Sequence, residues 1–154
     1  MKKKRETKVE KEYLDTDFGF NVVLTDVPMI KIHGEWVLDI NHAEFSNEVL
    51  KELLNSSHRL TGNHTRFIRT KLEMTLQEFG SQFGVAHSAV MKWEETGDAV
   101  TKMHICTERD IRLFAHDKVF GGTGLVKLYH KVQTVEKQRE AISEVCIAKE
   151  FSLV

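Results

Sequence analysis

Thr75-Leu76-Gln77-Glu78-Phe79-Gly80-Ser81-Gln82-Phe83-Gly84-Val85-Ala86-His87-Ser88-Ala89-Val90-Met91-Lys92-Trp93-Glu94-Glu95 is the stretch whose reading decides the fold. Thr75 is placed to cap a helix, and Glu78, three residues on, completes a capping box. That helix reaches Phe83, Gly84-Val85 turns the chain, and a second helix runs from about Ala86 to Glu95. Two helices this short, crossing at a wide angle over so brief a turn, need a small residue where they touch. Gly80 meets that need, Gly84 supplies the turn and Val85 plugs the angle from below. Phe79 and Phe83 anchor one side, and Val90 and Trp93 the other. Thr96-Gly97-Asp98 then stops the second helix.

This order of packing residues resembles the lambda-repressor-like, or XRE-type, helix-turn-helix family, and Trp93-Glu94 after the second helix adds to the match. The resemblance implies a mainly α fold: a five-helix-type domain over residues 59–120 that binds double-stranded DNA. In that family an Arg of the preceding helix pairs with the Glu, so Arg69 and Glu94 are expected to be structural. The second helix is expected to lie in the major groove. Its position gives His87 and Ser88 to base edges, Met91 to a thymine methyl and Lys92 to guanine or phosphate, with Ala86 near the entry. The family's polar residue after the Thr cap is Leu76 here; Gln77 follows it. Thr75 and Gln77 therefore mark a helix N-terminus that can still face a phosphate. Asn63 and Thr61, opening the preceding helix, are further phosphate candidates.

Working outward, Asn21–Thr25, Met29–Ile32 and Glu35–Leu38 read as strands, with His33-Gly34 as a tight turn between the last two. Asn41 caps a helix over 42–54 whose stripe is Phe45, Val49, Leu50, Leu53 and Leu54. Residues 16–58 are thus expected to be a small β-hairpin or meander with one helix, behind a loose basic tail over 1–15. Val27-Pro28 and Gly34-Glu35, ahead of the helix-turn-helix, are similar to antitoxins of the MqsA type. In those proteins a strand-rich zinc module holds a toxin and the C-terminal domain holds operator and dimer. No cysteine lies in this region of the chain, so zinc is excluded on ligand count. After Gly121-Gly122-Thr123-Gly124, read as an interhelical hinge, no Gly or Pro occurs from Leu125 to about Lys149. Leu125, Leu128, Val132, Val135, Ile142 and Cys146 fit a heptad seam interrupted by Arg139. Residues 121–154 are expected to be one long helix that dimerises the chain.

The formal net charge is −1. Within residues 61–95, Arg66, Arg69, Lys71 and Lys92 balance Glu73, Glu78, Glu94 and Glu95, so few counterions would be released on DNA. Modest affinity per domain favours a homodimer on a two-fold operator. Cys106 and Cys146 belong to no CxxC pair and read as free thiols in a reducing cytoplasm. No apolar run is long enough to cross a membrane, and the basic start has no apolar segment behind it as a secretory signal would. No nucleophile elbow, paired catalytic carboxylates or phosphate loop is present, so an enzyme is not expected and no cofactor or metal is implied. The functional expectation is a dimeric, sequence-specific repressor or antitoxin-like autoregulator acting on an operator, with a cognate toxin as the further partner that the antitoxin resemblance implies. The alternative is a protein–protein interaction module, toxin-neutralising or scaffolding, that does not depend on DNA.

Overall fold

The computed structural model describes residues 4–133, 142 and 144–147. β1 (Thr7–Asp15), β2 (Val22–Ile32) and β3 (Glu35–Leu38) form an antiparallel meander. Six helices follow: α1 (His42–Asn55), α2 (Gly62–Lys71), α3 (Leu76–Gln82), α4 (His87–Glu95), α5 (Ile105–Phe120) and α6 (Leu125–Val132). β4 (Val145–Ile147) then pairs in parallel with Val22–Leu24, while β3 pairs with the other half of β2 at Met29–Ile32. The result, over the described residues, is a small α/β fold with a four-stranded mixed sheet.

This corrects the mainly α expectation in three places. The first is Thr7–Asp15, expected as loose tail, which is a strand paired along β2 from Ile30 to Val22. Its many charges lower strand propensity, but its partner strand supplies the pairing that propensity does not. The second is β2, which runs unbroken for 11 residues where two strands were expected. Val22 and Leu24 are buried, then Val27 and Met29, so the alternation slips by one at Asp26, whose φ is +51°. A period-2 reading splits the strand at that slip. The third is the C-terminal helix, which ends at Val132. Val145 and Ile147 are buried and Cys146 is exposed in β4, a period of two rather than 3.5. Val135 and Arg139 of the supposed seam lie outside the described residues.

The turn at His33-Gly34 has positive φ at both residues, +51° and +86°, as a two-residue hairpin of this hand requires. Asn41 Oδ1 accepts from the Glu44 N–H and starts α1. The end of α1 carries no glycine. Its orphan carbonyls are instead satisfied by α5: the fully buried Arg112 donates through Nη1 to Leu54 O at 3.2 Å and to Ser56 O. Arg112 Nη2 donates to Glu108 Oε2 at 3.2 Å. Glu108 Oε1 accepts from Leu60 N at 3.0 Å and Arg59 Nε at 2.9 Å. Thus α5 fixes the turn that delivers the chain into α2.

One hydrophobic cluster runs through sheet and helices alike. Phe18, Phe20, Phe45 and Phe67 meet edge to face at centroid distances of 5.2–5.4 Å, joining the β1–β2 loop, α1 and α2. The segment 59–120 therefore shares its core with the sheet and with α6.

Candidate nucleic-acid interface

The α3–α4 pair forms the expected two-helix corner. Thr75 Oγ1 accepts from the Glu78 N–H and Glu78 Oε1 from the Thr75 N–H, a reciprocal box. Gly80 sits against the turn: a Cβ there would lie 2.6 Å from Val85 O, so no side chain fits. Gly84 holds φ +71°, the left-handed conformation that glycine adopts without strain. Val85 N donates to Gly80 O at 2.9 Å and closes the corner. Phe83 stacks edge to face on Phe79 at 4.9 Å and on Phe114 of α5 at 5.5 Å.

Helical periodicity then divides α4 into two faces. Val90, Trp93 and Glu94 are buried, whereas His87, Ser88, Met91 and Lys92 are exposed together. Met91, an apolar side chain 42% exposed, lies among polar neighbours on that outer face. Ala86 precedes the helix with no side chain to cap it, so the leading N–H groups have no side-chain acceptor. Gln77 and Thr75 are exposed on α3.

The carboxylate of Glu94 holds the corner to α2. It is 3% exposed and accepts from Arg69 Nη2 at 2.8 Å and from Arg69 Nε at 3.2 Å to each oxygen. Arg69 Nη1 also donates to Met74 O at 3.0 Å, pinning the α2–α3 link. Arg66 Nε joins Glu94 at 3.4 Å from a more exposed position.

Asn63 is the site candidate that the structure separates from the others. Its amide donates to Asp98 Oδ1 at 2.9 Å and its backbone N–H to Gly97 O, so it faces the C-terminal end of α4. The helix's nine residues place that end about 13 Å from His87. Thr61 is buried, its hydroxyl taken by the His64 N–H.

His64 completes that cap from the other side, its Nδ1 accepting from the Thr61 N–H at 3.0 Å. Burial, with the nearby Arg112 charge, pushes its pKa down to about 4. It is therefore neutral at physiological pH, a role that scattered histidines in a sequence do not advertise. Desolvation also lowers the pKa of Lys71, which is half-buried.

Among the described residues no group of three or more His, Cys, Asp or Glu side chains could hold a metal ion. Cys106 and Cys146 are exposed free thiols. No helix there is long and apolar enough to cross a membrane. No protein-family model matches the chain, and neither does any curated protein or solved structure.

Proposed function

We propose that the chain is a sequence-specific DNA-binding regulator of transcription, acting in the cytoplasm, with α4 as the helix that enters the major groove. The observation that carries this is the outward face of α4, where His87, Ser88, Met91 and Lys92 stand together on a corner whose opposite face is locked by Trp93 and Glu94. Serine and histidine suit base-edge hydrogen bonds, methionine a thymine methyl, and lysine guanine or phosphate. The uncapped N-terminus behind Ala86 suits a backbone phosphate. Arg66 and Arg69 are committed to Glu94, so charge contributes little per protomer and a dimer on a two-fold site supplies the rest.

Selection of bound sequences from a random duplex pool, followed by fluorescence anisotropy, tests this. An enriched motif is expected, with His87→Ala/Lys92→Ala at least tenfold weaker at unchanged thermal stability. No enriched motif, or unchanged affinity in the double variant, refutes the assignment of α4.

A second reading, a module for a protein partner, is favoured by the outer face of the sheet. Val9 pairs with Pro28 and Val37 with Ile30, so these side chains share a face with Ile32. Val9 is 67% exposed and Ile32 45%. This face and α4 are separate surfaces, and DNA binding that survives Val9→Glu would leave α4 as the DNA element.

A further inference from the structure

β1 is an edge strand: β2 takes one side of it, and among the described residues no strand takes the other. Nine residues of edge backbone, Thr7–Asp15, are thus open to pairing. The bonds of β2 decide which of them turn N–H and C=O outward. Lys31 N donates to Glu6 O, so Glu6, Lys8 and Glu10 face β2 in the antiparallel alternation, and Thr7 and Val9 face out. Val145 N donates to Asn21 O, so Asn21 and Val23 face β4, and Val22 and Leu24 face β1. Their β1 partners, Asp15 and Tyr13, therefore face inward, and Leu14 faces out. The slip at Asp26 of β2 is repeated in β1 at Lys11-Glu12.

Exposure follows the same slip. Lys8 and Glu10, then Tyr13 and Asp15, are at least half-buried, whereas Val9 and Leu14 are 67% and 54% exposed. A second copy pairing along the whole strand must match outward backbone with outward backbone and face with face. A two-fold axis between Lys11 and Glu12 does both, because it lays slip on slip. It sets Val9 of each copy opposite Leu14 of the other, Lys8 opposite Asp15, Lys11 opposite Glu12 and Glu10 opposite Tyr13. The exposed apolar side chains of β1 then cover each other, and both its lysines meet an acid. A one-residue shift puts Val9 opposite Tyr13 or Asp15, which breaks the match of faces; the first of these also puts Glu10 opposite Glu12.

We propose that β1 is the interface of a homodimer, in which a second copy joins the sheet edge antiparallel about a two-fold axis between Lys11 and Glu12. Each copy offers the same patch, as a closed two-fold interface requires. The pairing stands on the strand alone; its use, a two-fold protein for a two-fold DNA site, rests on the α4 reading.

Sedimentation velocity of the full chain without DNA, over a concentration series at constant salt, tests it. A reversible monomer–dimer equilibrium is expected. Lys11→Glu sets acid against acid beside the axis, and Glu12→Lys sets lysine against lysine. Each should weaken self-association by about tenfold or more, with the circular dichroism spectrum unchanged. Mixed in equal amounts, the two variants should recover a dimer, because each then meets the opposite charge. A wild-type chain that stays monomeric overturns the proposal and leaves the β1 charges as guards against pairing. A dimer indifferent to both single variants overturns it too, by putting the axis elsewhere, as does a mixture of variants that stays monomeric. A dimer that behaves as expected in a chain that enriches no DNA motif upholds this interface and refutes α4 alone.

Discussion

Replacing Arg69 with methionine tests whether the α2–α4 staple carries the corner. The variant keeps most of the side chain's apolar stem but leaves the Glu94 carboxylate, 3% exposed, without its closest partner. It removes three N–H contacts to Glu94 at 2.8–3.2 Å and one to Met74 O at 3.0 Å. Breaking one side of a buried pair costs about 3–5 kcal/mol, because the remaining charge is stranded. Arg66 stays within 3.4 Å of Glu94 but is 57% exposed, so it recovers only part of this. A loss of about 3 kcal/mol is expected, at the lower end of that range. For a chain of this size that lowers Tm by roughly 6–12 °C. Urea unfolding of the wild type, Arg69→Met, Glu94→Leu and the double variant gives the pair's coupling directly. The double variant should be more stable than Arg69→Met, since it removes the stranded charge. A loss under about 1 kcal/mol in Arg69→Met would put the pair with ordinary surface salt bridges and refute the reasoning.

The pH dependence of stability should carry the mark of His64. Its folded pKa, about 4, lies below its unfolded value of 6.5, so the unfolded chain takes up the proton first. Its contribution is complete above about pH 6.5 and is lost as pH falls toward 4, by roughly 3 kcal/mol in all. His64→Gln should flatten the urea-derived stability curve between those limits; an unchanged slope would show that other groups set it. Removing residues 125–154, expected from a heptad reading only to separate a dimer, should instead unfold the chain. Leu128, Val132, Val145 and Ile147 are each 3% exposed or less. At about 1.5–3 kcal/mol apiece their loss matches the whole stability of a typical domain. A truncated chain that still melts cooperatively within a few degrees of the full one would contradict this.

Local chemistry explains which parts could be read before the structure. Thr75, Gly80, Gly84, Val85, Val90 and Trp93 each answer a demand made within 20 residues, by a cap, a turn or a close approach, so their spacing is informative. The α1 stripe and the His33-Gly34 turn are local in the same way. What escaped depends on distant partners. Nothing in Lys8, Glu10, Lys11 and Glu12 marks a strand until β2 lies beside it. Val145-Cys146-Ile147 suits helix or strand by pattern, and only the half of β2 not taken by β3 decides it. The site divides likewise: the outer face of α4 follows from helical spacing, whereas the pairing of Asn63 with Asp98, 35 residues on, does not.

The charges that make residues 61–95 neutral by count are not distributed neutrally. Two of the four cations, Arg66 and Arg69, are spent on Glu94, and Lys71, the last residue of α2, is half-buried. That leaves Lys92 as the exposed cation on the outer face of α4, with the exposed Glu95 three residues away on the same helix. A surface so composed cannot take most of its affinity from released counterions, because that term scales with the phosphates neutralised. On the proposed reading α4 must instead depend on base-edge hydrogen bonds from His87 and Ser88 and on the apolar reach of Met91. Such contacts demand that the helix be held rigidly in register. The structure supplies that rigidity from three directions: Gly80 against Val85, Glu94 against Arg69, and Phe83 against Phe114 of α5. Because Arg112 and Glu108 tie the same α5 to the end of α1, the face of α4 is positioned by the sheet-bearing core and not by the corner alone.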